Sequence, residues 1–330
     1  MGIFLNIVLL IVGMVFLVKG ADWFVDGASK IAKAMKIPSL IIGLTLVSMG
    51  TSAPEASVSI NSALTGLNDI SLGNVVGSNI FNTLLILGIS ALIVPLIINR
   101  DMRIYDIPIM VGLYIALLIL GFVITPGKLD RIESIIMLVL FVSYMVFLVL
   151  RAKRSGEQFE ETEEKKSPMW KNILFAGIGL AAIIVGGDVV VDNASELAIA
   201  LGMSQSLVGL TIVAVGTSLP ELVTSVVASL KKENDIAVGN VIGSNIFNII
   251  FILGISSTLS PITISDAMVD LLVMLASGIM ILLVALFSKN MKKWQGLIFI
   301  LAYIAYVAYL IITDEPNTAN ASVALTTFIG

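Results

Sequence analysis

Two glutamates offer the chemistry that this sequence makes available. Glu55 closes the run Gly50-Thr51-Ser52-Ala53-Pro54-Glu55, and Glu221 closes Gly216-Thr217-Ser218-Leu219-Pro220-Glu221, 166 residues later. A second pair of segments keeps that offset. Residues 73–82 read GNVVGSNIFN and residues 239–248 read GNVIGSNIFN, identical at nine positions of ten. Both glutamates fall inside long apolar runs that contain no Lys or Arg. A charged side chain at the centre of a bilayer costs about 2.5–3.5 kcal/mol even on insertion scales, so such residues commonly mark an ion or substrate path. The bland alternative is a protonated glutamate hydrogen-bonded inside a helix bundle. It suits one glutamate better than two at equivalent places in a repeat. A bound cation is the natural counter-charge.

The neighbouring residues suit a cation. The chain has no His and no Cys, which leaves oxygen ligands, and these favour hard ions such as Ca²⁺ and Na⁺. Pro54 and Pro220 lack an N–H and clash with the carbonyl four residues back, at Gly50 and Gly216. The helix should break there and free carbonyls near Thr51 and Thr217, a common way for transporters to line a midplane site; a passive kink is the alternative. Ser78 and Asn82 are four residues apart on one helical face, as are Ser244 and Asn248, and can turn oxygens toward the glutamates. Asn79 and Asn245 lie elsewhere on the helix and fit better as bridges between helices. Gly73, Gly77, Gly239 and Gly243 have the small-xxx-small spacing of close packing. A site with two carboxylates balances one Ca²⁺, whereas several Na⁺ ions would occupy overlapping, weaker positions. Holding one set or the other is a physical basis for coupled exchange.

The elements that must position these residues are membrane spans. Of 330 residues 58% are hydrophobic and only 13% charged, with a mean hydropathy of +1.04; soluble domains average about 25% charged. A soluble enzyme is a poor fit, and a net charge of −4 leaves no basic surface for nucleic acid. Apolar runs of bilayer-crossing length give ten spans: 3–20, 39–64, 71–94, 104–122, 131–150, 171–190, 206–230, 236–260, 267–288 and 294–312. Lys19 follows the first run instead of preceding it, so that run is retained and not a cleaved signal. Of the 19 Lys and Arg residues, all but Lys128 and Arg131 fall on one side of this arrangement. The positive-inside rule makes that side cytoplasmic and places both termini outside the cell membrane.

Each half holds five spans, an odd number, so the second half enters from the opposite side. The expected fold is all-α: a polytopic membrane protein of ten transmembrane helices in two inverted-topology five-helix repeats. Residues 1–150 form the first repeat, 151–170 a charged cytoplasmic linker, 171–312 the second repeat, and 313–330 an extracytoplasmic tail. Asn320-Ala-Ser322 in the tail matches a glycosylation acceptor, a short and common pattern given no weight. Duplication without transport is the alternative for the repeat. A cation channel would need a continuous pore, whereas inverted halves with broken helices predict one occluded site.

GTSxPE followed by GNxxGSNIxN, present twice in inverted halves, resembles the sodium/calcium exchanger family of the calcium/cation antiporter superfamily, in its compact prokaryotic form. The resemblance covers about 300 residues of both halves. It implies a secondary antiporter, not an enzyme, with Na⁺ and Ca²⁺ as transported ions and no cofactor; no obligate protein partner is evident in the sequence. It also implies electrogenic exchange of about three Na⁺ for one Ca²⁺ by alternating access, with the first and sixth helices sliding as a gate. Asp22/Lys30 and Asp188/Glu196 would flank hinge-like or interfacial segments of those helices. Glu55 and Glu221 would be the principal Ca²⁺ ligands and also serve Na⁺, with carbonyl oxygens from Thr51 and Thr217. Ser52, Ser218, Ser78 and Ser244 would complete Na⁺ positions, main-chain carbonyls of Ser48 and Ala214 would contribute, and Asn82 and Asn248 would lie at the centre. The family's potassium-dependent branch and some archaeal members have Asp where this chain has Asn248, which weighs against K⁺ co-transport. The short linker cannot hold the calcium-binding regulatory domains of animal exchangers. Ca²⁺/H⁺ or other cation/H⁺ antiport is the main alternative, since either glutamate could carry a proton.

Overall fold

The structure is a computed structural model that describes residues 3–154, 168–200, 214–264 and 267–313. Most of the expected linker, the stretch 206–213 of the seventh span, the side chain of Ala214 and nearly all of the tail, with Asn320, lie outside the described residues. The elements follow the expected order. In the first half come α1 (Ile3–Met35), α2 (Ser39–Thr51), α3 (Ala53–Leu64), α4 (Asn68–Ile93), α5 (Met102–Ile124) and α6 (Arg131–Arg154). In the second come α7 (Met169–Ala200), α8 (Ala214–Thr217), α9 (Leu219–Leu230), α10 (Asn234–Leu259), α11 (Met268–Phe287) and α12 (Lys293–Thr313). Eight of these helices are long and apolar enough to cross a membrane singly. The pairs α2–α3 and α8–α9 are the two discontinuous spans, which brings the total to the expected ten.

Two helices are longer than expected. Hydropathy ends the first span at residue 20 and the sixth at 190, but α1 runs unbroken to Met35 and α7 to Ala200. The residues beyond the apolar run of α1 include charges, yet Ala21, Phe24, Val25, Ala28, Ile31 and Ala32 are buried on one face. That spacing stabilises a helix by packing where hydropathy alone would end it. Asp22, Lys30, Asp188 and Glu196 therefore sit within continuous helices with no hinge at these residues, while Asp22 and Glu196 make interfacial contacts with Lys231 and Asn6.

α1 and α7 pack antiparallel through glycines seven residues apart. A Cβ built on Gly20 would lie 2.8 Å from the Gly179 carbonyl oxygen, and one on Gly13 would lie 3.0 Å from that of Gly186. Gly13 and Gly179, like Gly20 and Gly186, are related by the 166-residue offset, so the contact is itself a pseudo-twofold one. Small residues permit such close approach where lipid supplies no hydrophobic drive between helices.

α4 and α10 form the centre. Of their most apolar stretches 72% and 94% is buried, against 11% for the peripheral α12. Gly239 and Gly243 of α10 lie against Gly43 and Leu44 of α2, where an added Cβ would meet backbone atoms at 3.2 Å and 2.8 Å; this is the packing role expected of the glycine spacing, whereas a Cβ on Gly73 or Gly77 of α4 would meet nothing within 4 Å among the described residues. α4 contains a π-helical turn at Phe81–Ile86 and α10 one at Asn248–Leu253. Such turns often accompany functional sites.

Contacts between distant residues test which chain ends share a side. Two short antiparallel ladders form, Leu96–Ile97 (β1) with Asn290–Met291 (β4) and Lys128–Leu129 (β2) with Ile262–Thr263 (β3). Arg151 pairs with Asp106 at 2.9 Å, Lys231 with Asp22 at 2.7 Å, and Asn99 donates to Asp235 at 3.0 Å. At the opposite ends of the helices, Asn6 donates to Glu196 at 3.1 Å and Asn68 to the Pro261 carbonyl at 3.0 Å. Each of these contacts joins residues that an inverted ten-span topology assigns to the same side.

Candidate ion-binding site

Each discontinuous span breaks at the serine before its proline. Ser52 (φ −80°, ψ 11°) separates α2 from α3, and Ser218 (φ −93°, ψ 7°) separates α8 from α9. Pro54 and Pro220 then occupy the first turn of the new helix, where a missing N–H costs nothing. Glu55 and Glu221 are also in that first turn, where the helix N-terminus favours negative charge. Both are completely buried.

The serine at each break reaches the glutamate of the other repeat. Ser52 Oγ donates to Glu221 Oε1 at 2.8 Å, and Ser218 Oγ donates to Glu55 Oε1 at 2.9 Å. Ser52 Oγ also lies 2.9 Å from Ser244 Oγ, and Ser218 Oγ lies 3.1 Å from Ser78 Oγ. Six expected residues thus form two mirrored clusters, Glu221-Ser52-Ser244 and Glu55-Ser218-Ser78. One oxygen of each carboxylate is left over. Among the described residues, Glu55 Oε2 and Glu221 Oε2 are buried without a hydrogen-bond partner, and neither glutamate pairs with a Lys or Arg.

Asn82 and Asn248 present the same pattern. Asn82 Nδ2 donates to Asn245 Oδ1 at 3.2 Å, and Asn248 Nδ2 donates to Asn79 Oδ1 at 3.0 Å. Their own Oδ1 atoms are buried and have no partner among the described residues. Asn79 and Asn245 do bridge helices: Asn79 Nδ2 donates to the Asn245 carbonyl at 3.2 Å and Asn245 Nδ2 to Thr83 Oγ1 at 2.8 Å. These bonds fix which end of each central amide is oxygen. α3 packs against the π turn of α10, and α9 against that of α4, so each glutamate helix adjoins the turn that carries an asparagine.

An isolated buried polar oxygen costs about 1–3 kcal/mol, and a charged one more. Four such oxygens in two symmetric pairs, two of them carboxylate, suit a hard cation that accepts carbonyl and carboxylate ligands. The remaining expected ligands are placed less directly. The Thr51 and Thr217 hydroxyls donate elsewhere, to Asn240 at 3.0 Å and Asn74 at 3.3 Å, which leaves their carbonyls as the donor atoms to consider. The Ser48 carbonyl accepts the Ser52 N–H at 3.0 Å and lies 3.4 Å from Ser244 Oγ, so protein donors engage it here. Ala214 opens α8 beside the undescribed stretch.

Asn74 and Asn240 did not emerge from the sequence as site residues, although both are in the quoted motif. The signal was one helical turn away: Asn74, Ser78 and Asn82, like Asn240, Ser244 and Asn248, follow at four-residue steps.

A family model described as sodium/calcium exchanger protein matches residues 5–150 and 171–312. The sodium/calcium exchanger MaX1 of Methanosarcina acetivorans is 35% identical, over 92% of this chain and 98% of its own length. The inner membrane protein YrbG of Escherichia coli is 39% identical, over 77% of this chain and 79% of its own. Among solved structures, the sodium-calcium exchanger NCX_Mj, soaked with Na⁺ and no Ca²⁺, superposes with a TM-score of 0.84 at 31% identity and covers 94% of this chain and 100% of its own. Family members are transporters of Na⁺ and Ca²⁺ and not enzymes. With the family model matched over both halves and 92% of its length covered by a relative 35% identical, the chain belongs to the sodium/calcium exchanger family.

Proposed function

We infer that the protein is a secondary antiporter that exchanges Na⁺ for Ca²⁺ by alternating access, electrogenically and without K⁺. One observation carries the reading. Each of two buried glutamates is held on one oxygen by a serine of the opposite repeat, and its other oxygen has no partner among the described residues. A divalent cation between two such carboxylates neutralises them together, and Na⁺ ions can do so only as a set. Because the halves supply each other's ligands, movement of one against the other opens or closes the site. Glu55 and Glu221 are the main ligands; Asn82, Asn248, Ser52, Ser218, Ser78, Ser244 and the carbonyls of Thr51, Thr217, Ser48 and Ala214 complete the ion positions. Neutral Asn248, where a carboxylate would add charge, supports K⁺ independence. The Lys/Arg-rich face is the cytoplasmic one, with both termini outside the cell membrane.

A second reading, Ca²⁺/H⁺ antiport, draws on the lack of a basic partner for either glutamate among the described residues, since protonation would also neutralise them. Purified protein in vesicles separates the two. Na⁺/Ca²⁺ exchange predicts radiolabelled Ca²⁺ uptake driven by an outward Na⁺ gradient, sensitive to membrane potential and unchanged by K⁺. Equal uptake driven by a proton gradient without Na⁺ would sink that reading, and passive flux with no counter-ion would point to a channel.

A further inference from the structure

Asn74 and Asn240 use both ends of their amides, and the two ends serve different repeats. Asn74 Nδ2 donates to the Glu55 carbonyl at 3.2 Å and to Ser59 Oγ at 2.9 Å, both on α3 of its own repeat. Its Oδ1 accepts from Thr217 Oγ1 at 3.3 Å, at the end of α8 in the other repeat. Asn240 mirrors this. Its Nδ2 donates to the Glu221 carbonyl at 3.3 Å and to Ser225 Oγ at 2.9 Å, and its Oδ1 accepts from Thr51 Oγ1 at 3.0 Å. Asn240 is fully buried.

Consecutive residues at each break therefore hold the opposite glutamate twice. Ser52 meets the Glu221 carboxylate directly, while Thr51 reaches the Glu221 main chain through Asn240. Ser218 and Thr217 treat Glu55 in the same way, through Asn74. Only a primary amide supplies two N–H donors and a carbonyl acceptor at this reach; Asp would lose the donors and a hydroxyl has one. Two like-charged carboxylates repel each other, so a site that brings them together needs their backbones fixed relative to the neutral oxygens that share the ion.

We propose that Asn74 and Asn240 are positioning residues that lock each ion-binding glutamate in register with the threonine of the opposite repeat, acting through the Thr217 and Thr51 hydroxyls. They set the affinity for Ca²⁺ without touching the ion. This rests on the exchange reading above, and the test separates the two.

The experiment is Na⁺-gradient-driven Ca²⁺ uptake in vesicles by wild type, Thr217→Val, Thr217→Ser, Asn74→Ala and the Thr217→Val/Asn74→Ala double variant. Valine keeps the shape of threonine and removes the donor. The lost hydrogen bond should raise the Ca²⁺ KM about fivefold. Asn74→Ala should raise it further, the double variant should be no worse than Asn74→Ala, and Thr217→Ser should recover most of the shift. A merely structural role would lower the amount of active protein and leave KM alone. An unchanged KM in Thr217→Val, or single effects that multiply in the double variant, would overturn the proposal. If Asn74→Ala fails to fold, Thr217→Val against Thr217→Ser, and Thr51→Val against Thr51→Ser, decide by the same KM criterion. Absence of Na⁺-driven uptake in the wild type would instead defeat the exchange reading.

Discussion

Replacing Gly20 by Ala tests the close contact between α1 and α7. The new Cβ would lie 2.8 Å from the Gly179 carbonyl oxygen and 2.9 Å from the Ile183 nitrogen. Both are backbone atoms, which cannot rotate aside, and a comfortable carbon–oxygen separation is about 3.3–3.6 Å. The helices must move apart by roughly half an ångström or more at that point, and overpacking of this kind costs about 1–3 kcal/mol. Ala favours the helix over Gly by about 1 kcal/mol, so the net loss is about 0–2 kcal/mol. Gly177→Ala is the control. It lies on α7 with nothing within 4 Å of the added methyl, and keeps only the favourable part. Equilibrium unfolding of the two variants in one detergent should differ by about 1–3 kcal/mol, with Gly20→Ala the less stable. Gly186→Ala, whose Cβ would lie 2.8 Å from the Leu17 nitrogen, should behave like Gly20→Ala by pseudo-symmetry. Equal stability of Gly20→Ala and Gly177→Ala would refute the close glycine contact.

Further predictions concern the charged groups at the Lys/Arg-rich ends. Arg151→Ala should destabilise the protein by about 3–5 kcal/mol in the same assay, because it leaves the completely buried Asp106 carboxylate without its partner at 2.9 Å. Loss of less than about 1 kcal/mol would place that pair among the weak surface ones. Lys231 behaves differently. Burial pulls its ammonium down, but hydrogen bonds and charges from Asp22 and Asp26 outweigh that and hold it above its ordinary value of 10.5. The folded state therefore gains stability from the charged form at all pH below the ordinary value, and loses it as pH rises through the higher folded value. With side chains 24%, 41% and 49% exposed, the gain is well under about 1 kcal/mol. A stability difference between wild type and Lys231→Met that vanishes only above pH 10.5 is the expected result, and one that vanishes near neutrality would contradict it.

Much of the site was legible because the chain states it twice. The offset that pairs Glu55 with Glu221 also pairs Ser78 with Ser244 and Asn82 with Asn248, and the prolines mark where the helices break. Which repeat serves which glutamate was not legible. Ser52 is three residues from Glu55 in the chain but bonds Glu221, since the break turns it toward the other half. Asn74 and Asn240 join backbone to hydroxyl, a role that no charge or proline marks in the sequence. The extensions of α1 and α7 are unmarked for another reason: hydropathy registers the apolar run, while the residues after it are held by an amphipathic face. Asp106 and Arg151 are 45 residues apart, and only the fold shows that they meet.

The most direct test of the account is radiolabelled Ca²⁺ binding to the purified protein at increasing Na⁺, for wild type, Glu55→Gln and Glu221→Gln. A shared site predicts that wild type binds Ca²⁺, that Na⁺ displaces it more steeply than one ion for one ion, and that both variants lose binding at the same Ca²⁺ concentration. Ca²⁺ that stays bound in high Na⁺, or near-normal binding in either folded variant, would contradict a common site built on the two glutamates.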